Sequence, residues 1–300
     1  MTHAILGAGG IGSLIAALLA HSGEDVTLLV RPQSRAAQPD TIVLDRPSGQ
    51  IVAPVKVATS LTSAVDVLWI TVKATQLESA LATISDSALA GSVVPLLNGI
   101  DHVARLRAVF DTGFAGARVV PATIGVEAER LAPGHAVQRS PFIRFAMAEA
   151  GRAQLEGIVE KLRAAGADCQ FVADEATLLW NKLCFLAPFA LATTASGMTS
   201  SEILADPQWS TRLRAAAQEA CAVAIAEGAA VDPAKIAALH AGLPPGMRSS
   251  MQKDVAAHRA PELDAIAGPI LRGGKKHGIA TSVCQELVEA IQSSKLKIKN

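Results

Sequence analysis

Apolar and polar positions along the first half of the chain predict strands alternating with helices. His3-Ala4-Ile5-Leu6 is a short apolar run with strand character, and it meets Gly7-Ala8-Gly9-Gly10-Ile11-Gly12. A helical spacing of apolar residues follows (Leu14, Ile15, Leu18, Leu19), and Gly23 ends it. Asp25 to Val30 reads as a buried strand stopping at Arg31. Val67 to Val72 is a continuous apolar run, the pattern of a parallel strand covered on both faces. A helix is predicted from Thr75 to Ser85, then a strand from Ser92 to Leu97 ending at Asn98-Gly99, then a helix from near Asp101. Strands over Arg118–Val126 and Phe142–Met147, a helix over 151–165 and a strand at Cys169–Val172 complete this half. The alternation predicts a Rossmann-type, doubly wound α/β sheet.

From Asp174 onward strand patterns vanish and alanine-rich helical patterns replace them, over about 174–195, 207–229, 233–241, 251–257, 262–278 and 282–294. Asp206-Pro207 and Asp232-Pro233 are helix starts, each a capping acid before a proline in the first turn. The expected organisation is an α/β domain over 1–173 and an all-α C-terminal domain over 174–300. Gly242-Leu243-Pro244-Pro245-Gly246 reads as a turn-rich loop, a candidate mobile element beside a cleft.

A strand, a G-x-G-x-x-G turn and a helix, in that order, form the dinucleotide-binding fingerprint. Gly7 permits the tight turn, Gly9 lets the backbone approach a pyrophosphate, and Gly12 lets helix and strand pack closely. Gly10 and Ile11 share the helix N-terminus, whose free N–H groups and dipole favour phosphate. Dinucleotides with a free ribose 2′-hydroxyl usually meet an acid at the end of the second strand, whereas a 2′-phosphate needs a cation. This strand end has no acid, and Arg31 and Arg35 stand within reach. A guanidinium binds two phosphate oxygens at once, so the reading is NADPH/NADP. The alternative is NAD, with both arginines merely solvated.

Three hundred residues suit two domains, and half of them are hydrophobic. A net charge of zero argues against nucleic-acid and anionic-membrane partners. The one dense basic stretch, Lys295 to Lys299, reads as a solvated, frayed end. The first strand begins almost at Met1, which leaves no room for a signal segment, and no apolar run of spanning length is free of polar interruption. Cys169, Cys184, Cys221 and Cys284 are widely separated and read as reduced core thiols of a cytoplasmic protein; no metal-binding spacing occurs. The absence of tyrosine excludes short-chain dehydrogenases, which need a Tyr-x-x-x-Lys pair.

Several polar residues follow apolar runs. Lys73 and Asn98 stand where strands end, either facing a cofactor or serving as a strand cap and an ordinary turn. Lys182, within Trp180-Asn181-Lys182-Leu183, is either a costly buried ammonium or a snorkelling surface lysine. Glu262 stands at a helix start, where a carboxylate often only caps.

The chain resembles the ketopantoate reductases (2-dehydropantoate 2-reductases), within the 6-phosphogluconate-dehydrogenase-like proteins. The resemblance covers nearly the whole chain. It rests on the glycine turn, Arg31, Val72-Lys73, Asn98-Gly99, Trp180 to Leu183, Ser249-Ser250-Met251 with Asp254, Glu262 to Ile266 with Gly268, and Lys276 to Ala280. It implies a Rossmann domain and a helical domain with the active site between them. It also implies NADPH-dependent reduction of a 2-oxo acid in pantothenate biosynthesis. By the resemblance, Lys182 would be the general acid and Glu262 would bind and orient substrate. Asn98 would hold substrate and nicotinamide ribose, Ser250 would bind the substrate carboxylate, and Lys73 would line the cofactor and substrate cleft. The expected partner is a small 2-oxo acid, and a homodimer is the assembly left open. The family carries asparagines four and eight positions after the lysine; here those positions are Leu186 and Ala190, with Thr193 beyond them. Leu97 likewise replaces a residue that is often polar in the family. This departure leaves open a more apolar 2-oxo substrate. A third reading is a non-catalytic NADP(H) sensor, against which the retention of Lys182 and Glu262 counts.

Overall fold

The computed structural model describes residues 1–85, 88, 91–113 and 118–298, without the side chains of 111–113 and 294–298. The chain divides into two compact units. Unit 1 is Met1–Leu97 with His102–Glu175, and unit 2 is Asn98–Asp101 with Ala176–Asn300. The division falls at Glu175, two residues past the expected 173, and it gives the short Asn98 segment to the helical unit.

Unit 1 contains, in order, β1 (Thr2–Leu6), α1 (Gly10–His21), β2 (Asp25–Leu29), β3 (Thr41–Arg46), β4 (Gly49–Pro54), β5 (Lys56–Ala58), β6 (Val67–Ile70), α2 (Leu77–Leu81), β7 (Ser92–Pro95), α3 (His102–Gly113), β8 (Arg118–Val119), β9 (Ala122–Gly125), β10 (Ala128–Ala132), β11 (His135–Gln138), β12 (Arg144–Ala148), α4 (Arg152–Ala164) and β13 (Asp168–Val172). Six strands form a parallel sheet in the order β5-β2-β1-β6-β7-β8. Its central strand β6 is apolar because both faces are covered, and all four of its residues are buried. This is the doubly wound sheet that the alternation predicts.

Two features depart from the sequence reading. Arg118–Val126 is not one strand. β8 ends before Pro121, which has no N–H to donate to a ladder, and β9 pairs instead with β12 in a three-stranded sheet, β13-β12-β9. A four-stranded sheet, β10-β11-β3-β4, was also not expected. Its β3–β4 hairpin buries alternate residues, Ile42 and Leu44 against Ile51 and Ala53. α1 packs against both this sheet and the parallel sheet, so its residues from Gly12 to Leu19 are all buried.

Unit 2 is built of α5 (Glu175–Ser196), α6 (Ser200–Ala205), α7 (Pro207–Ala226), α8 (Pro233–Ala241), α9 (Ser250–Ala256), α10 (Leu263–His277) and α11 (Ser282–Ile298). Asp206 and Asp232 cap as predicted, accepting from Gln208 N at 2.9 Å and Ala234 N at 2.9 Å. α6, with its Thr199–Glu202 capping box, was not predicted. The core gathers Trp180, Leu183, Leu191, Met251, Ile266, Ile270 and Leu287 from α5, α9, α10 and α11. Among the described residues only α5 is long and apolar enough to cross a membrane, and 67% of its apolar window is buried within the protein. The backbone of 295–298 continues α11, while the side chains of the basic stretch Lys295–Lys299, expected to be solvated, lie outside the described residues.

Candidate functional site

In unit 1 the site begins with the glycine turn. Gly7 has φ +115°, and a Cβ there would lie 2.8 Å from Val72 Cγ1. A Cβ on Gly12 would lie 1.8 Å from the Gly7 carbonyl oxygen, so no larger residue fits. The Thr71 hydroxyl, just past β6, lies 3.1 Å from Leu6 O and 2.8 Å from Gly7 O, fastening the turn to the neighbouring strand. A Cβ on Gly10 would lie 2.4 Å from Ala128 O, so this glycine lets β10 approach. Gly9 differs: a Cβ there meets nothing within 4 Å. Gly9 is the N-cap of α1, no side chain caps the helix, and no acid stands in its first turn, where Ile11 is half-buried. An open face, uncapped N–H groups and the positive end of the helix fit a diphosphate.

The two arginines after β2 separate. Arg35 donates to Gln38 O at 3.2 Å and to Asp40 Oδ1 at 3.2 Å, so it serves its own loop. Arg31 is exposed, and among the described residues it has no hydrogen-bond or ion-pair partner. Of the two guanidiniums, Arg31 is therefore the one not engaged by its own loop among the described residues. Lys73 is half-buried and heads the turn that follows β6.

In unit 2, Lys182 lies on α5 between buried Trp180 and buried Leu183. It is half-buried, and no described residue accepts a hydrogen bond from it. Burial pulls its ammonium down from the ordinary lysine range to about 8, while the Glu262 carboxylate opposes the fall. Glu262 is buried and stands at the start of α10, yet its side chain makes no capping bond. Asn98 Nδ2 donates to Glu262 Oε2 at 3.4 Å. The capping role considered for Glu262 is thus replaced by contact with Asn98 and the field at Lys182.

Asn98 reaches Glu262 because the next residue is glycine. Gly99 has φ +83°, and a Cβ there would lie 2.2 Å from Ala265 O of α10. Beyond it, Arg272 of α10 bonds Asp101 and also Asp264, the latter at 2.8 Å. Ser250 is the exposed first residue of α9, and its hydroxyl has no partner among the described residues. Buried Ser249 is the cap, accepting from Gln252 N at 3.1 Å. Sequence reasoning named Ser249 and Thr193 only within the family resemblance, without the bond between them, and it missed Arg272 and the reason for Gly99. Of these, only Ser249 had a signal, the S-x-x-Q spacing of a capping box. Among the described residues no group of three His, Cys, Asp or Glu side chains is arranged to hold a metal ion.

The family model "Ketopantoate reductase PanE/ApbA" matches residues 3–148, and its C-terminal counterpart matches 176–295. The 2-dehydropantoate 2-reductase of Caulobacter vibrioides is 33% identical, over 98% of this chain and 99% of its own. The chain belongs to the ketopantoate reductase family. The first family match contains the glycine turn, Arg31, Lys73 and Asn98; the second contains Lys182, Ser250 and Glu262. A PanE/ApbA family ketopantoate reductase from Ralstonia eutropha JMP134 shares the fold over 100% of both chains, with a TM-score of 0.85 at 23% identity. D-mandelate dehydrogenase, solved with NADH and anilino(oxo)acetate, also shares the fold over 100% of both chains, at TM-score 0.84 and 22% identity.

Proposed function

We propose that this member of the ketopantoate reductase family reduces 2-dehydropantoate to the 2-hydroxy acid, using NADPH and with Lys182 as general acid. The observation that carries the reading is Lys182 itself. It is an ammonium without a hydrogen-bond partner among the described residues, drawn down to about 8 by burial and kept charged by Glu262. Such a group is protonated at neutral pH and gives its proton up readily.

When bound, NADPH would supply the hydride for the carbonyl carbon. The chain's residues supply the rest. The N–H groups of the α1 N-terminus, beside Gly9, bind the diphosphate, and Arg31 binds the 2′-phosphate. Lys73 lines the cofactor end of β6. As negative charge grows on the substrate oxygen, the Lys182 ammonium stabilises it and then transfers a proton from Nζ. Glu262 keeps Lys182 charged and accepts from the substrate hydroxyl. The Asn98 amide orients Glu262, and Ser250 donates to the substrate carboxylate.

The test is NADPH oxidation with 2-dehydropantoate. Lys182→Ala should lower kcat by about 10²- to 10⁴-fold while leaving NADPH affinity near the parental value. Unchanged kcat in that variant overturns the assignment.

Leu186 favours a second reading. It stands one turn beyond Lys182 on the same helical face and is half-buried. Ala190 lies in the unit 2 core at 1% exposure, so Leu186 is the position of the two that is open to a ligand. An apolar group there fits a 2-oxo acid with an aliphatic chain in place of a hydroxyl. Comparing 2-dehydropantoate with longer branched 2-oxo acids decides between the readings. Leu186→Asn should shift preference toward 2-dehydropantoate by about ten- to a hundredfold in kcat/KM.

A further inference from the structure

We propose that Thr193 and Ser249 form a latch that fixes α9 against α5 and so sets the position of Ser250 toward the substrate carboxylate. The inference rests on the reading of Ser250 given above. Thr193 is fully buried and Ser249 nearly so, and their hydroxyl oxygens lie 2.8 Å apart. The direction of each proton follows from the neighbours. The Thr193 hydroxyl lies 2.8 Å from Phe189 O and 3.3 Å from Ala190 O, and carbonyl oxygens only accept. Its single proton is therefore spent on α5, and the proton between the two hydroxyls belongs to Ser249. The Ser249 oxygen in turn accepts from Gln252 N at 3.1 Å. A single chain results: Gln252 N–H to Ser249, Ser249 to Thr193, Thr193 to the backbone of α5.

α9 is fastened a second time near its start: Gln252 Nε2 donates to Met198 O, just past α5, at 3.0 Å, and buried Met251 packs in the unit 2 core. The first turn of α9, which carries Ser250, is therefore tied to the end of α5 by two bonds. The latch joins it to the helix that carries Lys182, eleven residues and about three turns before Thr193. Thr193 and Ser249 touch no reacting atom in this scheme; they are positioning residues. Removing one hydroxyl leaves the other buried and half-satisfied, which favours displacement of the α9 N-terminus.

Thr193→Val keeps the side-chain volume and removes the hydroxyl. It should raise KM for the 2-oxo acid by about ten- to a hundredfold, with kcat and NADPH affinity near parental values. Thr193→Ser should restore KM, which a purely volumetric role would not permit. Amide exchange at Gln252 should quicken in Thr193→Val and return in Thr193→Ser. Parental KM in Thr193→Val, alongside a raised KM in Ser250→Ala, overturns the latch. Equal loss of kcat, KM and NADPH affinity overturns it too, because that is general unfolding. Parental KM in Ser250→Ala itself removes the substrate role of Ser250, and the latch proposal falls with it. In that case continued slow exchange at Gln252 shows that the hydrogen-bond chain exists without serving substrate.

Discussion

Lys182 titrates near 8, and the sign of the pH dependence follows from its two protonation states. Reduction needs the ammonium, so kcat for the 2-oxo acid should be level below about 7 and fall as pH rises through about 8. Oxidation of the 2-hydroxy acid needs the free amine and should rise over the same range. Glu262→Gln removes the charge that holds Lys182 up, so the alkaline limb of the reductive profile should move to lower pH. A limb that stays in place would show that another group controls it. At the α9 exit, His258 has φ +53°, the one described non-glycine residue in the left-handed region. His258→Gly should stabilise the fold by about 1 kcal/mol in urea unfolding. The residues of the site were partly legible. Lys182, Glu262 and Ser250 stood out by chemical type and by a pattern shared with a family. The Asn98–Glu262 contact and the Thr193–Ser249 bond each join residues more than fifty positions apart, and no local spacing encodes them.

Strands and helices were legible where one periodicity ran without interruption. β1, β6 and α10 are such segments, and the Asp-Pro starts fixed α7 and α8. β8 and β9 were not separable by pattern, because Val119 to Ile124 is a nearly continuous apolar run in which Pro121 is the one break. β3 and β4 show a two-residue period around the Pro47-Ser48-Gly49 turn, but their sheet is completed by β11, whose residues lie some ninety positions later. The middle of the parallel sheet, where β1 and β6 pair, contains a pH-sensitive element. Trp69 Nε1 of β6 donates to His3 Nδ1 of β1 at 3.2 Å, so Nε2 carries the proton toward Glu24, 3.3 Å away. Burial lowers the His3 pKa, against the opposing pull of Glu24. Burial raises Glu24, but bonds from Lys161 and the amino terminus outweigh it and bring Glu24 to about 2. The amino terminus also lowers His3, and Asp66 raises it. With the folded pKa of His3 below its ordinary value, the unfolded chain protonates first. Stability is therefore complete above about 6.5 and falls with decreasing pH below it. His3→Gln should flatten the dependence of unfolding free energy on pH between about 5 and 7. An unchanged slope would mean that His3 titrates alike in both states.

Cofactor binding and proton transfer are assigned to different units, and this division has a thermodynamic consequence for the whole chain. A ligand that binds only the folded form adds RT ln(1 + [L]/Kd) to stability, about 2.7 kcal/mol at a hundredfold excess over Kd. The groups assigned to NADPH, the glycine turn and Arg31, lie in unit 1, while Lys182 lies in unit 2. Lys182→Ala should therefore keep the whole NADPH-induced rise in unfolding free energy although turnover is lost. Arg31→Ala should behave in the opposite way. At the same NADPH concentration its rise should shrink by about 1.4 kcal/mol for each tenfold loss of affinity, while the smaller rise given by NADH stays the same. Thermal or urea unfolding of the parent and both variants, with each cofactor in turn, reads these differences directly. Equal loss of NADPH and NADH stabilisation in Arg31→Ala would place the guanidinium on a part of the dinucleotide common to both. Loss of NADPH stabilisation in Lys182→Ala would mean that the ammonium holds cofactor, and the proton donor would then have to be sought among other side chains.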